Sequence, residues 1–275
     1  MPKGKNIKNV YLFFASFLII FILNLLVPIN VSKIPSYTSR MWLLSQTYVM
    51  IFAIFILIKE KLPRKNIIIV SLVLGVLTGL HNPVVNVGTI LTFMCTILTF
   101  MASSSIFQKS EDAISLFTNF SKREVLKSIG IGVIAGFILA IINLFISGNQ
   151  SMNFNVNIQY FLISLNPGIF EEVSFRLFMY AFCIHLLKGK ANTKKEKIWC
   201  YIMMVLPHVL IHTSDMFFQN GVIYLDSSVL VTIVMLSLIF GLPFALLQRK
   251  RDLSSAMVAH GLVDFVRFCF LGLPV

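Results

Sequence analysis

The stretch from Asn166 to Phe178, NPGIFEEVSFRLF, sets two glutamates and an arginine in the middle of an apolar run over residues 158–187. A run of that length and composition is expected to be a membrane-spanning helix. Charge inside one is expensive: insertion scales put a central carboxylate at about 2.5–3.5 kcal/mol, so intramembrane ionisable residues face partners or a wet cavity. On a helix Glu172 and Arg176 stand four residues apart on one face and can neutralise each other, with Asn166 as a candidate cap and Pro167 at a first-turn position. Glu171 projects about 100° away from Glu172 and needs a partner on another helix. The candidates are His208, His212, His260 and Asp264, all in later apolar segments.

The rest of the chain has the same solvent. Of its 275 residues 57% are hydrophobic and only 12% charged, outside the range of soluble domains. The fold class expected is all-α: a polytopic transmembrane helical bundle of eight or nine spans, forming a single integral membrane domain over residues 1–275. The candidate spans are 11–29, 42–58, 66–80, 84–102, 125–146, 158–187, 198–213, 229–247 and 254–272, the third and seventh being the weakest. The short His-Asn-Pro turn at 81–83 leaves a re-entrant pair, and hence eight spans, as the alternative.

Basic residues set the orientation. With a cytosolic amino terminus, the inner loops carry Lys59, Lys61, Arg64 and Lys65, then Lys109, Lys122 and Arg123, then five lysines in 188–197, then Arg249, Lys250 and Arg251. The outer loops carry only Lys33 and Arg40, which is the expected cytosolic excess. The formal net charge of +12 is therefore read as topology and contact with the lipid bilayer, with no nucleic-acid partner. The first apolar run follows Lys3, Lys5 and Lys8 but is longer than a signal-peptide core, so it reads as a retained anchor. Cys95, Cys183, Cys200 and Cys269 stand singly, without metal spacing. Gly132 and Gly136 form a small-xxx-small pair suited to close helix approach.

Three motifs, taken in order, resemble the CAAX-endopeptidase and bacteriocin-processing (CPBP, or Abi) family of intramembrane proteases. The first is EExxxR, here Glu171 to Arg176 with Phe175 before the arginine; Leu177 follows where the family often has glycine. The second, FxxxH, fits two ways within LPHVLIHTSD. His212 is the favoured reading because Thr-Ser-Asp follows it, and His208 is the other. The third is a histidine followed four residues later by Asn or Asp, here His260 and Asp264. The resemblance covers about 120–272 and leaves the first four spans without a motif.

The resemblance implies an intramembrane endopeptidase hydrolysing a peptide bond in a membrane-associated peptide or protein. Glu171 with His212 would activate the water, His260 and Asp264 would support the oxyanion, and Glu172 with Arg176 would be mainly an internal ion pair. These are the residue types that amide hydrolysis needs. The family is described both as glutamic proteases and as metalloproteases. No cofactor is favoured, and zinc is the alternative, since the cluster has His and carboxylate ligands but lacks HExxH. A substrate such as a bacteriocin or signal-peptide precursor, and a bacterial plasma membrane, suit this Ile-, Phe-, Lys- and Asn-rich chain. Two other functions use the same residues: a bacteriocin-immunity protein acting by binding alone, and a proton-coupled transporter. The transporter would ordinarily bring inverted repeats, and none is visible.

Overall fold

The computed structural model describes residues 6–28, 36–82, 84–147, 153–219 and 222–273. Lys3, Lys5, Lys33 and the proline of the 81–83 turn lie outside the described residues. Within them the chain is helical almost throughout: α1 Ile7–Leu26, α2 Tyr37–Lys59, α3 Lys65–Gly79, α4 Val87–Phe107, α5 Lys122–Ser147, α6 158–186, α7 Lys194–His212, α8 Ser227–Lys250 and α9 Leu253–Leu271. Six of these (α1, α2, α4, α5, α8 and α9) are long and apolar enough to cross a membrane. The 15-residue α3 is apolar but short, and the first turn of α7 carries three lysines and Glu196. A two-residue antiparallel ribbon, β1 (Phe218–Gln219) and β2 (Val222–Ile223), follows α7.

The helices run back and forth between a lysine-rich end and a lysine-poor end. At the first, the Leu253 and Ser254 amides donate to the Ser115 and Leu116 carbonyls, and Glu111 N–H donates to Gly189 O. Buried Asp252 receives the Thr118 amide at 3.0 Å and the Ser128 hydroxyl at 2.5 Å. Among the inner-loop cations, Lys109 is paired with Glu60 at 2.5 Å and Arg251 with Glu124 at 2.9 Å. The Lys109 ammonium holds the Glu60 carboxyl below its usual range.

At the lysine-poor end, Arg40 is not a loop residue. It lies in the first turn of α2, buried, donating to the Asn24 side chain at 2.7 Å and to the Val27 carbonyl at 2.5 Å. There it satisfies the open carbonyls and the negative dipole end of α1. Asp215 caps α2 from the far side of the sequence, taking the Tyr37 amide at 2.7 Å and the Thr38 amide at 3.3 Å.

The glycine pair of α5 is spent inside the molecule. A Cβ at Gly132 would come within 2.7 Å of the Ser255 carbonyl, and one at Gly136 within 2.7 Å of the Ala259 carbonyl. Helix α9 therefore lies backbone-close to α5. On its other side Gly261 meets α6, where Gly168 would place a Cβ 3.0 Å from the Gly261 Cα. These small contacts bring His260 up against the glutamate pair.

Asn166 does not begin a helix. Helix α6 starts at Ile158, where the Asn157 side chain accepts the Gln159 amide at 2.9 Å. From Asn166 to Leu177 the turns are wide, with hydrogen bonds reaching five residues back; the Phe178 amide bonds to the Val173 carbonyl in this way. Pro167 supplies the cause, because it lacks an N–H and its ring crowds the preceding turn. Such wide turns cluster at functional sites, and a second one, Ser237–Gly241, lies in α8.

Candidate active site

The wide-turn segment of α6 presents both glutamates to three other helices. Glu172 is fully buried. One carboxylate oxygen takes Arg176 Nη1 and His260 Nδ1–H, the latter at 2.7 Å; the other takes the Gln248 amide of α8 at 2.8 Å. The second Gln248 donation, to the Glu172 carbonyl at 3.0 Å, also serves the widened turn. With Arg176, His260 and Gln248 around it, the buried charge is paired and hydrogen-bonded, as burial requires.

Arg176 fixes a tautomer as well as a charge. Its Nη2 lies 3.1 Å from His208 Nδ1, and a guanidinium only donates. His208 Nδ1 is therefore the acceptor and its proton sits on Nε2, which donates to Glu171 Oε2 at 2.5 Å. The same Glu171 oxygen is 3.5 Å from His212 Nε2 and 3.8 Å from His260 Nε2, and His260 Nε2 is 3.5 Å from Asp264 Oδ2. All seven residues named from the sequence thus meet at one place.

The order of the histidines differs from the expected one. The sequence reading set His212 beside Glu171 on the strength of the Thr-Ser-Asp that follows it, yet His208 is the nearer and is buried, whereas the His212 side chain is 43% exposed. Two shifts explain this. Helix α7 begins at Lys194, four residues before the expected 198, which moves every residue up by about one 5.4 Å turn. In α6 the wide turns of Asn166–Leu177 climb less per residue than an ordinary helix, so Glu171 sits less deep than on a straight helix.

Several contributors carried little signal in the sequence. Trp42 packs edge-on to His212 and His208, with ring centroids 5.1 and 6.0 Å away. Phe244 stacks on His260 at 4.5 Å and lies under the Arg176 guanidinium at 5.2 Å. Gln248 stood next to three cations that read as a loop, whereas α8 continues to Lys250. An uncharged glutamine directly after the expected 229–247 span, ahead of the cations, was the signal that could have found it.

A cavity of about 290 Å3 opens onto this cluster, with Glu171, Arg176, His208, His212, His260 and Asp264 in its wall. Asn143 and Arg267 line it too. Its lining combines two carboxylates, three imidazoles and the Arg176 guanidinium.

Glu171, His208 and His212 could each offer an atom to a metal ion, the three lying within 4.8 Å of one another. A metal-bound imidazole ordinarily donates its other N–H to an acceptor. For His208 that other nitrogen faces Arg176, which accepts nothing. Ligation through His208 Nε2 would set two donors against each other, so this arrangement of His208 does not fit a metal ligand.

Residues 153–266 match the family model described as Rce1-like, type II CAAX prenyl endopeptidase Rce1-like. The match contains all three motifs. It is shorter than the expected 120–272 and leaves α1 to α5 outside it. No curated protein and no solved structure matches the chain.

Proposed function

From the match of residues 153–266 to a family of endopeptidases, we propose that the chain is a metal-free, glutamate-dependent intramembrane protease. The observation that carries this reading is the convergence of Glu171, His208, His260 and Asp264 on one cavity of about 290 Å3. Amide hydrolysis needs a base for water, a proton for the leaving amine and donors for the oxyanion.

In this mechanism the Glu171 carboxylate, held by the His208 Nε2–H bond, takes a proton from water. The water oxygen then bonds to the scissile carbonyl carbon, and the oxyanion that forms is met by His260. With both nitrogens protonated, His260 donates to Glu172 from Nδ1 and to the oxyanion from Nε2, its charge balanced by Glu172 and Asp264. Collapse breaks the C–N bond, and Glu171 returns its proton to the departing nitrogen. Arg176 and Glu172 act as positioning residues, and His212 borders the water rather than holding the base.

A membrane-anchored peptide or protein is the substrate class, a bacteriocin or signal-peptide precursor being the specific proposal, in a bacterial plasma membrane with the amino terminus cytosolic. Peptides from cells expressing wild type or Glu171→Gln, compared by mass spectrometry, test the reading. A precursor accumulating only in the variant, and cleaved by the purified wild type, is the expected result. Identical peptide profiles, together with no cleavage by the purified protein, would overturn it.

A further inference from the structure

Glu171 and His212 also border a second cavity, of about 210 Å3, whose other walls are Trp42, Gln46, Asn166 and Phe170. A third, of about 320 Å3, shares Trp42 and Gln46 with it and extends between α2 and α4 to His81, Asn82 and Asn86 at the lysine-poor end. The three cavities therefore follow one another: the α3–α4 loop, then Gln46, then Glu171, then the space facing His260. Each adjoining pair shares two lining residues.

The chemistry of these walls points to their content. Ser39, Gln46, Thr89 and Thr92 line the space between α2 and α4, helices that are otherwise apolar enough to cross a membrane. Polar groups at membrane depth are tolerated where they line water or find protein partners. Asn166 Oδ1 is buried with no hydrogen-bond partner among the described residues. The Gln46 amide has one long contact, 3.4 Å, to the Thr92 hydroxyl. A water takes about 30 Å3 of liquid volume and seeks two to four polar partners. The middle chamber has room for several, and Gln46, Asn166, Glu171 and His212 supply the partners.

We propose that this series of cavities is a hydration path, bringing the hydrolytic water to Glu171 from the α3–α4 loop while the cavity facing His260 holds substrate. It assigns a task to α2, α4 and the α3–α4 loop, which lie outside the family match. The role of the water rests on the protease reading, but the path itself is tested without any substrate.

Gln46→Cys and Asn166→Cys are exposed in sealed vesicles to Ag+, a thiol reagent of about the size of water, from the side that presents Asn86. Cys95, Cys183, Cys200 and Cys269 are all buried; unmodified protein sets their background. Asn86→Cys is the accessible reference, and Val49→Cys, fully buried on α2, is the inaccessible one. Both test thiols are expected to be lost to Ag+ from that side, with Val49→Cys intact. If both are as inert as Val49→Cys, the path is overturned; the two positions lie on different helices, so one misfolded variant does not decide the matter. In a protein that cleaves peptide, Gln46→Leu is further expected to lower kcat several-fold with KM unchanged. Thiol loss in a protein that cleaves no peptide would support the wet path and count against the protease reading.

Discussion

At the scale of single residues, the two glutamates are separated by their neighbours. Glu172 is enclosed by Arg176, His260 and Gln248 and has no oxygen left over, whereas Glu171 has one strong partner and faces a cavity. Glu171→Gln keeps shape and hydrogen bonding but removes the base. Turnover should fall by at least about a hundredfold, the low end of general-base contributions, with the thermal unfolding midpoint nearly unchanged. His208→Ala should cost more turnover than His212→Ala, because His208 makes the 2.5 Å bond and His212 stands off at 3.5 Å. Equal or reversed losses in purified variants would return the second motif to His212. The donor-to-acceptor contact from Arg176 to His208 predicts that the purified enzyme keeps its activity after dialysis against a strong zinc chelator; loss restored by added zinc would count against it.

At the scale of elements, α6 is held in register by polar contacts to α7, α8 and α9, and Arg176 sits at their crossing. Arg176→Ala would leave the buried Glu172 carboxylate without its guanidinium, with only His260 and Gln248 as partners. Removing one partner of a buried pair costs about 3–5 kcal/mol, so a large drop in unfolding temperature is expected, read by thermal shift in detergent. A variant as stable as wild type but slow would place Arg176 in turnover instead. The loop after α7 has its own fastening: Asp215 caps α2, the helix that carries Trp42 and Gln46. Loss of an N-cap typically costs about 1 kcal/mol, so Asp215→Ala should lower stability by that order. Reactivity of a Gln46→Cys thiol toward Ag+ would then report whether α2 has shifted.

At the scale of the whole molecule, charge separates the two ends. Loops holding Lys59 to Lys65, Lys109 to Arg123, Lys188 to Lys197 and Arg249 to Arg251 gather at one end by direct hydrogen bonds between them. By the positive-inside rule that end is expected to be cytosolic. An impermeant amine reagent should therefore label these lysines in inverted vesicles and leave them unmodified in intact cells; labelling from outside would reverse the orientation.

The apolar composition, the positions of nearly all the helices, the ion pair of Glu172 with Arg176 and the identity of the seven converging residues were legible in the sequence. Each is set by hydropathy, by spacing along a helix, or by the cost of charge in an apolar run. The depth of each residue was not, because the wide turns beginning at Asn166 and the early start of α7 at Lys194 shift register by about one turn. Nor could spacing reveal that Arg40 and Asp215 tie helix ends together, or that Gln248 and Trp42 border the glutamates. Those contacts join residues 16 to 178 positions apart, and only the packing of α2 against α1 and α7 and of α8 against α6 brings such residues within hydrogen-bonding or van der Waals reach.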